Sequence, residues 1–344
     1  MLSHFLVVDV GGTKILAAAV DRQGRVLSRH KLKTDRKSKE ALLVQLDGAL
    51  DAALGEAKLL RTEIGGIALG IPGVVDSRRG HVVLTPNAPL SDTPLREVVA
   101  KKWSCPIAVG NDVNLGTVGE ATRGAAQGAG SAFGIFVGTG IGGGLWMGNR
   151  LIEGFRGLGG EIGHLLVPLG AEMTTGTTKK DVFLEDLCSR TAIENQLRHA
   201  ILKGGHKSLL TEIVGDKKLE RIRSGALKEA LKKNDPLVTD TLRRTSHLLG
   251  LATASVIHIV DPEVIVFGGG VIEACGKWMM PWIEKATRKV LLPGTGAELK
   301  IVQSQLGDDA ILMGGLALLL NDPPAPALSE GVKEFAAVDK PVGK

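Results

Sequence analysis

Three apolar segments of this chain each run into a glycine-rich turn, and this arrangement limits the possible folds more than any other feature. The segments 5–8, 133–137 and 262–267 are rich in bulky and β-branched residues, which favour buried strands. The turns after them carry few side chains, so backbone N–H groups can converge on an anion such as phosphate. With helical periodicity elsewhere in the chain, the pattern predicts an α/β fold that holds one nucleotide from several sides.

The densest of these turns is GTGIGGG at 138–144. Alone, it is equally compatible with a tight hairpin or a β-bulge that binds nothing. Two other segments favour a phosphate site: the turn DVGGTK at 9–14, and NDVN at 111–114, which places the Asp112 carboxylate between two amides. The chain has neither a dinucleotide fingerprint that opens a helix nor a Walker A sequence, which disfavours NAD enzymes and P-loop NTPases.

Composition narrows the class of protein further. At 344 residues the chain has room for two domains, and its 44% hydrophobic and 23% charged residues are typical of a soluble globular protein. The net charge of +5 favours phosphorylated ligands, but no recognisable reading element accompanies the basic clusters, which argues against nucleic acid. The cysteines are few and far apart and the N-terminus lacks a basic region, so we expect a reduced cytoplasmic protein without a signal peptide. The uncharged stretch 124–149 is broken by glycines, which predicts strand, loop and strand rather than a membrane span.

Periodicity and turn residues place the regular elements. The predicted strands are 5–10, 14–20, 25–33, 64–71, 81–84, 107–109, 133–137, 145–147, 150–152, 262–267 and 300–303. The predicted helices are 43–58, 94–103, 115–124, 182–203, 207–223, 225–233, 236–260, 278–291 and 309–320. Thr93 is expected to cap the second helix. The run 323–344 after the last helix is polar and alanine-rich, which predicts a disordered tail.

Taken in order, these segments resemble the ROK family (repressors, open reading frames and sugar kinases) of the actin-like, hexokinase-like superfamily, over roughly residues 5–320. The matching segments are DVGGTK at 9–14, GIPGVVD at 70–76, TPN at 85–87, NDVN at 111–114, GTGIGGG at 138–144, GGEIGH at 159–164 and DPEVIVFGGGV at 261–271. The resemblance implies a two-domain actin-like ATPase (ribonuclease H-like) fold with an interdomain cleft. It predicts a small N-terminal domain at 1–115, which the C-terminal helix 309–322 rejoins, and a large domain at 116–308.

The resemblance also implies the active-site residues of an ATP-dependent hexose kinase of the glucokinase type. Asp112 matches the family's general base, and Asp9 is expected to bind Mg²⁺ directly or through water. The residues expected to contact the sugar are Asn87, Asn111, Asp112, Glu161, His164 and Glu185. The residues expected to hold ATP are Asp9, Gly11, Gly12, Thr13, Lys14, Gly138, Thr139, Gly140, Gly142, Gly143, Gly268, Gly269 and Gly270.

Each of these side chains also has a purely structural interpretation. Asp112 could cap the helix that follows it, and Asp9 could be an ordinary turn aspartate. His164 could be a hydrogen-bonded core histidine. The same holds for the other charged residues of the set, namely Lys14, Glu161 and Glu185. The functional interpretation depends on the conjunction of the segments, because each of them alone is a weak signal.

One part of the family pattern is missing. The resemblance implies three cysteines that join the histidine on a structural zinc, and their positions hold Gly176, Thr178 and Phe183 in this chain. Cys188 is the only thiol nearby and cannot supply a four-coordinate site alone. We therefore predict no zinc, and expect other contacts to hold the segment 170–181. The tryptophan-bearing turn that often follows TPN is also absent, which leaves the choice of sugar open.

Two other functions fit the same family resemblance. A sugar-responsive transcriptional regulator would carry a helix-turn-helix before this body, and the turn that begins at Asp9 is expected to leave no room for one. A non-catalytic sugar-binding protein would have lost activity together with the zinc, although Asp9, Asp112 and the glycine turns are retained. The expected partners are a small sugar and further copies of the chain in a dimer or tetramer, with no nucleic acid and no membrane.

Overall fold

The computed structural model describes residues 3–167, 182–294 and 296–321. Packing divides the chain into two units. Among the described residues, the first unit contains those up to Gly128, Gly144–Gly159 and those from Asp308 onward; the second contains Ala129–Gly143 and those within Gly160–Gly307. Residues 116–128 and 144–159 thus pack with the first unit, whereas the sequence suggested that they belong to the second domain. The boundaries of the folding domains remain a prediction, and the predicted tail 323–344 lies outside the described residues.

The first unit is built on a mixed sheet. Its strands are β1 (His4–Val10), β2 (Lys14–Asp21), β3 (Val26–Lys33), β4 (Ile64–Ile71), β5 (Val74–Asp76), β6 (His81–Leu84) and β7 (Ile107–Asn111), and its helices are α1 (Lys39–Glu56), α2 (Leu95–Ala100), α3 (Asp112–Arg123) and α10 (Ala310–Asn321). The sheet order is β3-β2-β1-β4-β7, and β5 pairs with β6 alone. The strands β1, β4 and β7 are parallel, so their carboxyl ends lie at one edge of the sheet.

Both faces of this sheet are covered, as the alternation of side chains along β1 shows. Leu6 and Val8 belong to the core cluster that includes Leu42 and Leu46 of α1. Val7 points to the opposite face, where α10 packs. A Cβ at Gly315 of α10 would lie 2.6 Å from Val7 Cγ1, so this close approach requires glycine. The sheet is therefore buried on both sides.

The second unit contains a sheet of parallel strands with helices after it. Its elements are β8 (Ser131–Val137), the start of β9 (Ile141–Met147), α4 (Leu184–Cys188), α5 (Arg190–Leu202), α6 (Leu210–Val214), α7 (Ser224–Lys232), α8 (Pro236–Val260), β11 (Val264–Gly268), α9 (Gly270–Val290) and β12 (Lys300–Gln303). β11 lies parallel to both β8 and β12. β10 (Arg150–Leu151) pairs antiparallel with the end of β9, and these paired residues belong to the first unit.

Several predicted elements need correction. The single helix expected at 182–203 is broken at Ser189, whose hydroxyl accepts a hydrogen bond from Ala192 N and so caps α5. Only α6 is helical within the predicted helix 207–223. The helix expected at 278 begins at Gly270, because the tertiary fold overrides the low helix propensity of glycine. Pro94 rather than Thr93 is the residue at the start of α2. No helix within the described ranges has the length and apolarity that a membrane crossing requires.

Candidate active site

Asp9 and Asp112 lie at the edge of the first sheet where the parallel strands end. Asp9 on β1 pairs with Gly70 on β4, which in turn pairs with Gly110 on β7. Asp112 follows β7 directly as the first residue of α3. A Cβ at Gly70 would lie 3.6 Å from Asp112 Cα, so the glycine row brings the two aspartates together.

Asn111, not Asp112, caps α3. The Asn111 Oδ1 accepts a hydrogen bond from Asn114 N at 2.9 Å, and its Nδ2 donates to Gly73 O at 3.0 Å. The Asp112 Oδ1 accepts from Val113 N at 2.9 Å, which fixes the carboxylate. The Asp112 Oδ2 accepts no hydrogen bond from any other residue of the described ranges. Asp112 therefore has one anchored oxygen and one oxygen that is available to a ligand.

The two carboxylates are partly exposed yet surrounded by protein, and their titration reflects this. Burial, followed by the charge of Asp112, raises the pKa of Asp9 to about 7, although Lys14 lowers it. Burial also raises the pKa of Asp112 above its ordinary value, against the opposing effect of the Val113 hydrogen bond. Two desolvated carboxylates side by side repel each other, and a bound cation would relieve that repulsion.

These residues fit a magnesium ion. Mg²⁺ keeps several waters and needs only one or two carboxylates from the protein, and Asp9 can supply one. No group of three or more His, Cys, Asp or Glu side chains within the described ranges is arranged to hold a metal ion. The described residues therefore offer no site at which protein ligands alone would hold an ion. An ion that binds Asp9 and the phosphate oxygens of a ligand together is compatible with the Asp9–Asp112 pair.

The first glycine turn is tight and leaves backbone donors free. Gly11 N donates to Lys14 O at 2.9 Å, and a Cβ at Gly12 would lie 2.8 Å from Asn87 Cβ. Thr34 Oγ1 donates to Gly11 O at 2.6 Å and holds the turn from outside. The N–H groups of Gly12 and Thr13 donate to no residue of the described ranges. The turn therefore has the shape and the free donors that a phosphate site needs, and Asn87 lies beside it.

The second glycine turn is shorter than predicted. β9 begins at Ile141, so Gly142 and Gly143 are strand residues and only Gly138, Thr139 and Gly140 form the turn. Small residues suit this strand because a Cβ at Gly143 would lie 2.9 Å from Phe133 Cε1. The sequence could not reveal this, since the run of glycines carries no periodicity.

The third turn adjoins the second. Gly268 ends β11 opposite Phe136 of β8, and Gly269 has φ +84° at the start of α9. A Cβ at Gly269 would lie 2.7 Å from the carbonyl of Val137, immediately before the second turn. The structure therefore brings Gly268, Gly269 and Gly270 beside Gly138 within the second unit, and Gly270 is the first residue of the long helix α9.

His164 and Glu161 lie on a short helical turn of the second unit. Their side chains are 3.7 Å apart between Nδ1 and Oε2, and the His164 side chain is 67% exposed, so it is not a core histidine. Its ring centroid lies 5.6 Å from that of Phe183, one of the positions where the family pattern has cysteine. Backbone hydrogen bonds from Val167 N to Val182 O and from Leu184 N to Leu165 O join the same two segments. These contacts hold His164 without a metal ligand from Phe183, while the segment 170–181 lies outside the described residues.

Glu185 makes a contact that the sequence did not suggest. Its Oε2 accepts a hydrogen bond from Ile141 N at 2.6 Å, so it contacts the backbone that follows the second glycine turn. Sequence reasoning also missed two residues of α5 that contact this turn, Arg190 and Thr191, because it predicted an unbroken helix there. It also assigned no role to Asp308, whose carboxylate accepts a hydrogen bond from Lys14 Nζ at 2.9 Å. The capping preference of Ser189 was the available signal for the helix break.

Comparison with known proteins agrees with this arrangement of elements. A model of the ROK family matches residues 5–322. The glucokinase of Halalkalibacterium halodurans is 30% identical over 316 residues, which cover 90% of this chain and 93% of that protein. The prediction of the family is thereby confirmed.

Solved structures give the same result for the fold. A ROK family glucokinase from Streptomyces griseus in complex with glucose and AMPPNP is 29% identical, with a TM-score of 0.77 over 92% of this chain and 98% of that one. A ROK family transcriptional regulator, a homologue of the E. coli MLC protein, is 27% identical, with a TM-score of 0.79 over 97% of this chain and 80% of that one. The predicted α/β fold of the actin-like ATPase type is confirmed. The chain therefore belongs to the ROK family.

Proposed function

We propose that this protein is an ATP-dependent hexose kinase, with glucose as the first substrate to test and Asp112 as the general base. The observation that carries the proposal is the state of the Asp112 carboxylate, which has one oxygen anchored by Val113 N and the other without a hydrogen bond from another residue of the described ranges. The relatives support the same activity, since the glucokinases from two organisms match nearly the whole chain.

Phosphoryl transfer passes through a loose transition state, so the protein mainly aligns donor and acceptor and stabilises charge. In this proposal the Asp112 Oδ2 accepts a hydrogen bond from the reacting sugar hydroxyl and then its proton. Burial raises the pKa of Asp112, which strengthens the ionised carboxylate as a base. Asn111 fixes the start of α3 through its two hydrogen bonds and so keeps Asp112 in place.

The nucleotide phosphates would be held by the free N–H groups of the glycine turns, and Lys14 would add a positive charge beside the first turn. When bound, Mg²⁺ supplies charge neutralisation to the phosphates, and Asp9 would hold it directly or through water. The third turn, Gly268 to Gly270, would lie on the adenosine side. Asn87, Glu161 and His164 would donate to or accept from the sugar hydroxyls and so set its orientation.

A second candidate function is a sugar-responsive transcriptional regulator. The observation in its favour is the similarity to the ROK family regulator, which has a TM-score of 0.79. Regulators and kinases of one family share the sugar-binding body, so similarity of fold does not separate the two functions. ATP-dependent phosphorylation of a sugar separates them, because only a kinase catalyses it.

The test is a coupled assay of ADP release with glucose, fructose, mannose, N-acetylglucosamine and N-acetylmannosamine. We expect turnover with at least one sugar, and a loss of about 10²- to 10⁴-fold in kcat for Asp112→Asn. Asp240→Asn on the exposed face of α8 is the matched control and should keep full activity. If no sugar is phosphorylated while one of them binds in calorimetry, the kinase proposal fails and the regulator or non-catalytic function is favoured. The proposed dimer or tetramer is measured by sedimentation of the same samples.

A further inference from the structure

The Glu185 carboxylate is engaged by the backbone of the second glycine turn. Its Oε2 lies 2.6 Å from Ile141 N, a short distance that is typical of a charge-assisted hydrogen bond. A Cβ at Gly140 would overlap the same oxygen, so the carboxylate can occupy this position only because residue 140 is glycine. The position of the Glu185 carboxylate therefore depends on the absence of a side chain at residue 140.

Two residues at the start of α5 hold the other side of the same turn. Arg190 N donates to Gly138 O at 2.8 Å, and its guanidinium Nη2 donates to Thr139 Oγ1 at 2.7 Å. Thr191 Oγ1 donates to Thr139 O at 2.8 Å. The break between α4 and α5 at Ser189 makes this possible, because an unbroken helix would use Arg190 N within its own backbone.

These contacts leave a defined set of donors. The carbonyl oxygens of Gly138 and Thr139 accept from α5, and the Gly140 carbonyl accepts from Gly138 N at 2.9 Å. The N–H groups of Thr139 and Gly140 donate to no residue of the described ranges. Adjacent free N–H groups in a turn whose carbonyls are occupied form an anion-binding concavity.

We propose that Glu185 is a positioning residue for the nucleotide phosphates: by holding Ile141 N–H it fixes the Thr139 and Gly140 donors that bind a phosphate. Through Oε2, Glu185 then acts on the nucleotide side, in addition to the sugar contact that the family resemblance implies for its carboxylate. The inference rests on the nucleotide site of the proposed function.

Binding of MgADP without sugar, measured by titration calorimetry, tests the inference apart from catalysis. We expect Glu185→Ala to raise the Kd for MgADP about tenfold, the scale expected for loss of a hydrogen bond to a charged group. Glu185→Gln keeps an acceptor oxygen for Ile141 N, so its loss should be clearly smaller. Glu212→Gln, at an exposed glutamate of α6 in the same unit, is the control and should bind as the wild type does.

A double-mutant cycle with Gly140→Ala tests whether the pair acts as a unit. The added methyl group displaces the carboxylate, so Gly140→Ala should weaken MgADP binding in the wild type. In the Glu185→Ala background the methyl group has nothing to displace, and the second change should add little. Hydrogen exchange gives a readout that does not depend on any ligand, since the Ile141 amide should exchange faster in Glu185→Ala than in Glu185→Gln.

Three results would overturn the inference. One is unchanged MgADP affinity in Glu185→Ala with a raised KM for the sugar, which would leave Glu185 with a role at the sugar alone. Another is additive effects of Gly140→Ala and Glu185→Ala. The third is no MgADP binding by the wild type. If Glu185→Ala does not fold, Thr191→Val carries the test, since loss of its bond to Thr139 O should also weaken MgADP binding. A wild type that binds MgADP with this dependence but phosphorylates no sugar would remove the kinase proposal and leave the inference standing.

Discussion

Lys14 and Asp308 are 294 positions apart in the chain, yet Lys14 Nζ donates to Asp308 Oδ1 at 2.9 Å. Lys31 donates to the other oxygen at 3.3 Å, so the carboxylate lies between two ammonium groups. Although burial acts in the opposite direction, the hydrogen bonds and charges of the two lysines lower the pKa of Asp308. The pair ties the short helical turn before α10 to the strand that follows the first glycine turn, and so places the Lys14 ammonium near Asp9 before any nucleotide binds.

The Lys14–Asp308 pair should contribute little to stability, because both side chains are substantially exposed. We expect Asp308→Asn to lower the free energy of unfolding by at most ~1 kcal/mol in low salt. The loss should shrink at about 1 M salt, where the Debye length is about 3 Å. Urea unfolding at both salt concentrations measures it. A loss of several kcal/mol that salt leaves unchanged would contradict this account of the pair.

Asp9 should make the metal-free protein less stable as the pH rises. Its pKa is about 7 in the folded protein and ordinary in the unfolded chain, so the folded state binds the proton more tightly. The stabilisation is present in full below about pH 4 and is lost as the pH rises to 7. Asp9→Asn has no carboxyl proton at this position and does not lose this stabilisation. In EDTA, the Tm of Asp9→Asn minus that of the wild type should therefore increase between pH 4 and 7. A constant difference in Tm between pH 4 and 7 would show that Asp9 titrates normally. Added Mg²⁺ should stabilise the wild type more than the variant above pH 7.

Gly269 should tolerate no side chain. Its φ is +84°, and a Cβ there would lie 2.7 Å from the Val137 backbone. We expect Gly269→Ala to lower the free energy of unfolding by about 1–3 kcal/mol, the usual cost of a strained backbone conformation.

Gly225→Ala is the matched control, since Gly225 lies within α7 with nothing within 4 Å of an added Cβ. This control should be stabilised by about 0.5–1 kcal/mol. Equal effects of the two substitutions in denaturant unfolding would contradict the strain argument.

The purified protein should contain no stoichiometric zinc. The positions that hold zinc-binding cysteines in the family pattern are Gly176, Thr178 and Phe183 here, and four ligands are needed for a structural site. Metal analysis by mass spectrometry measures the content, and a zinc chelator should leave the Tm unchanged. One zinc ion per chain would show that other ligands, outside the cysteine pattern, complete a site.

The sequence predicted the elements on which the site is built, for physical reasons that are local. The hairpin of β1 and β2, the strand β4 and the helix α8 each carry a strong period and clear turn residues, and their bounds agree closely with the structure. Asp112 was identifiable because NDVN sits between a strand and a helix. The family assignment followed from the order of such segments, and it is confirmed.

The errors lie where contacts between distant segments decide the structure. Beyond the break that Ser189 signals locally, the Arg190 N–H donates to Gly138 O of the second glycine turn, a contact that no local pattern records. The assignment of Glu185 to the sugar remains a prediction, but its contact with Ile141, 44 residues earlier in the chain, had no local signal. The sequence did not reveal that α9 starts at Gly270, because glycine occurs both in turns and at helix N-termini, and the run 268–270 could belong to either. Side-chain roles, in contrast to strand and helix identity, required the coordinates.

The contact between the rings of Phe183 and His164 affects how sensitive this protein is to oxidation and to loss of metal. Thiolate ligands make a metal site sensitive to peroxide, to electrophiles and to scarcity of the ion, because oxidising one sulfur releases the metal. A phenyl ring has no such reaction. The histidine here is held by a hydrocarbon contact, so peroxide and zinc depletion should leave its position unchanged.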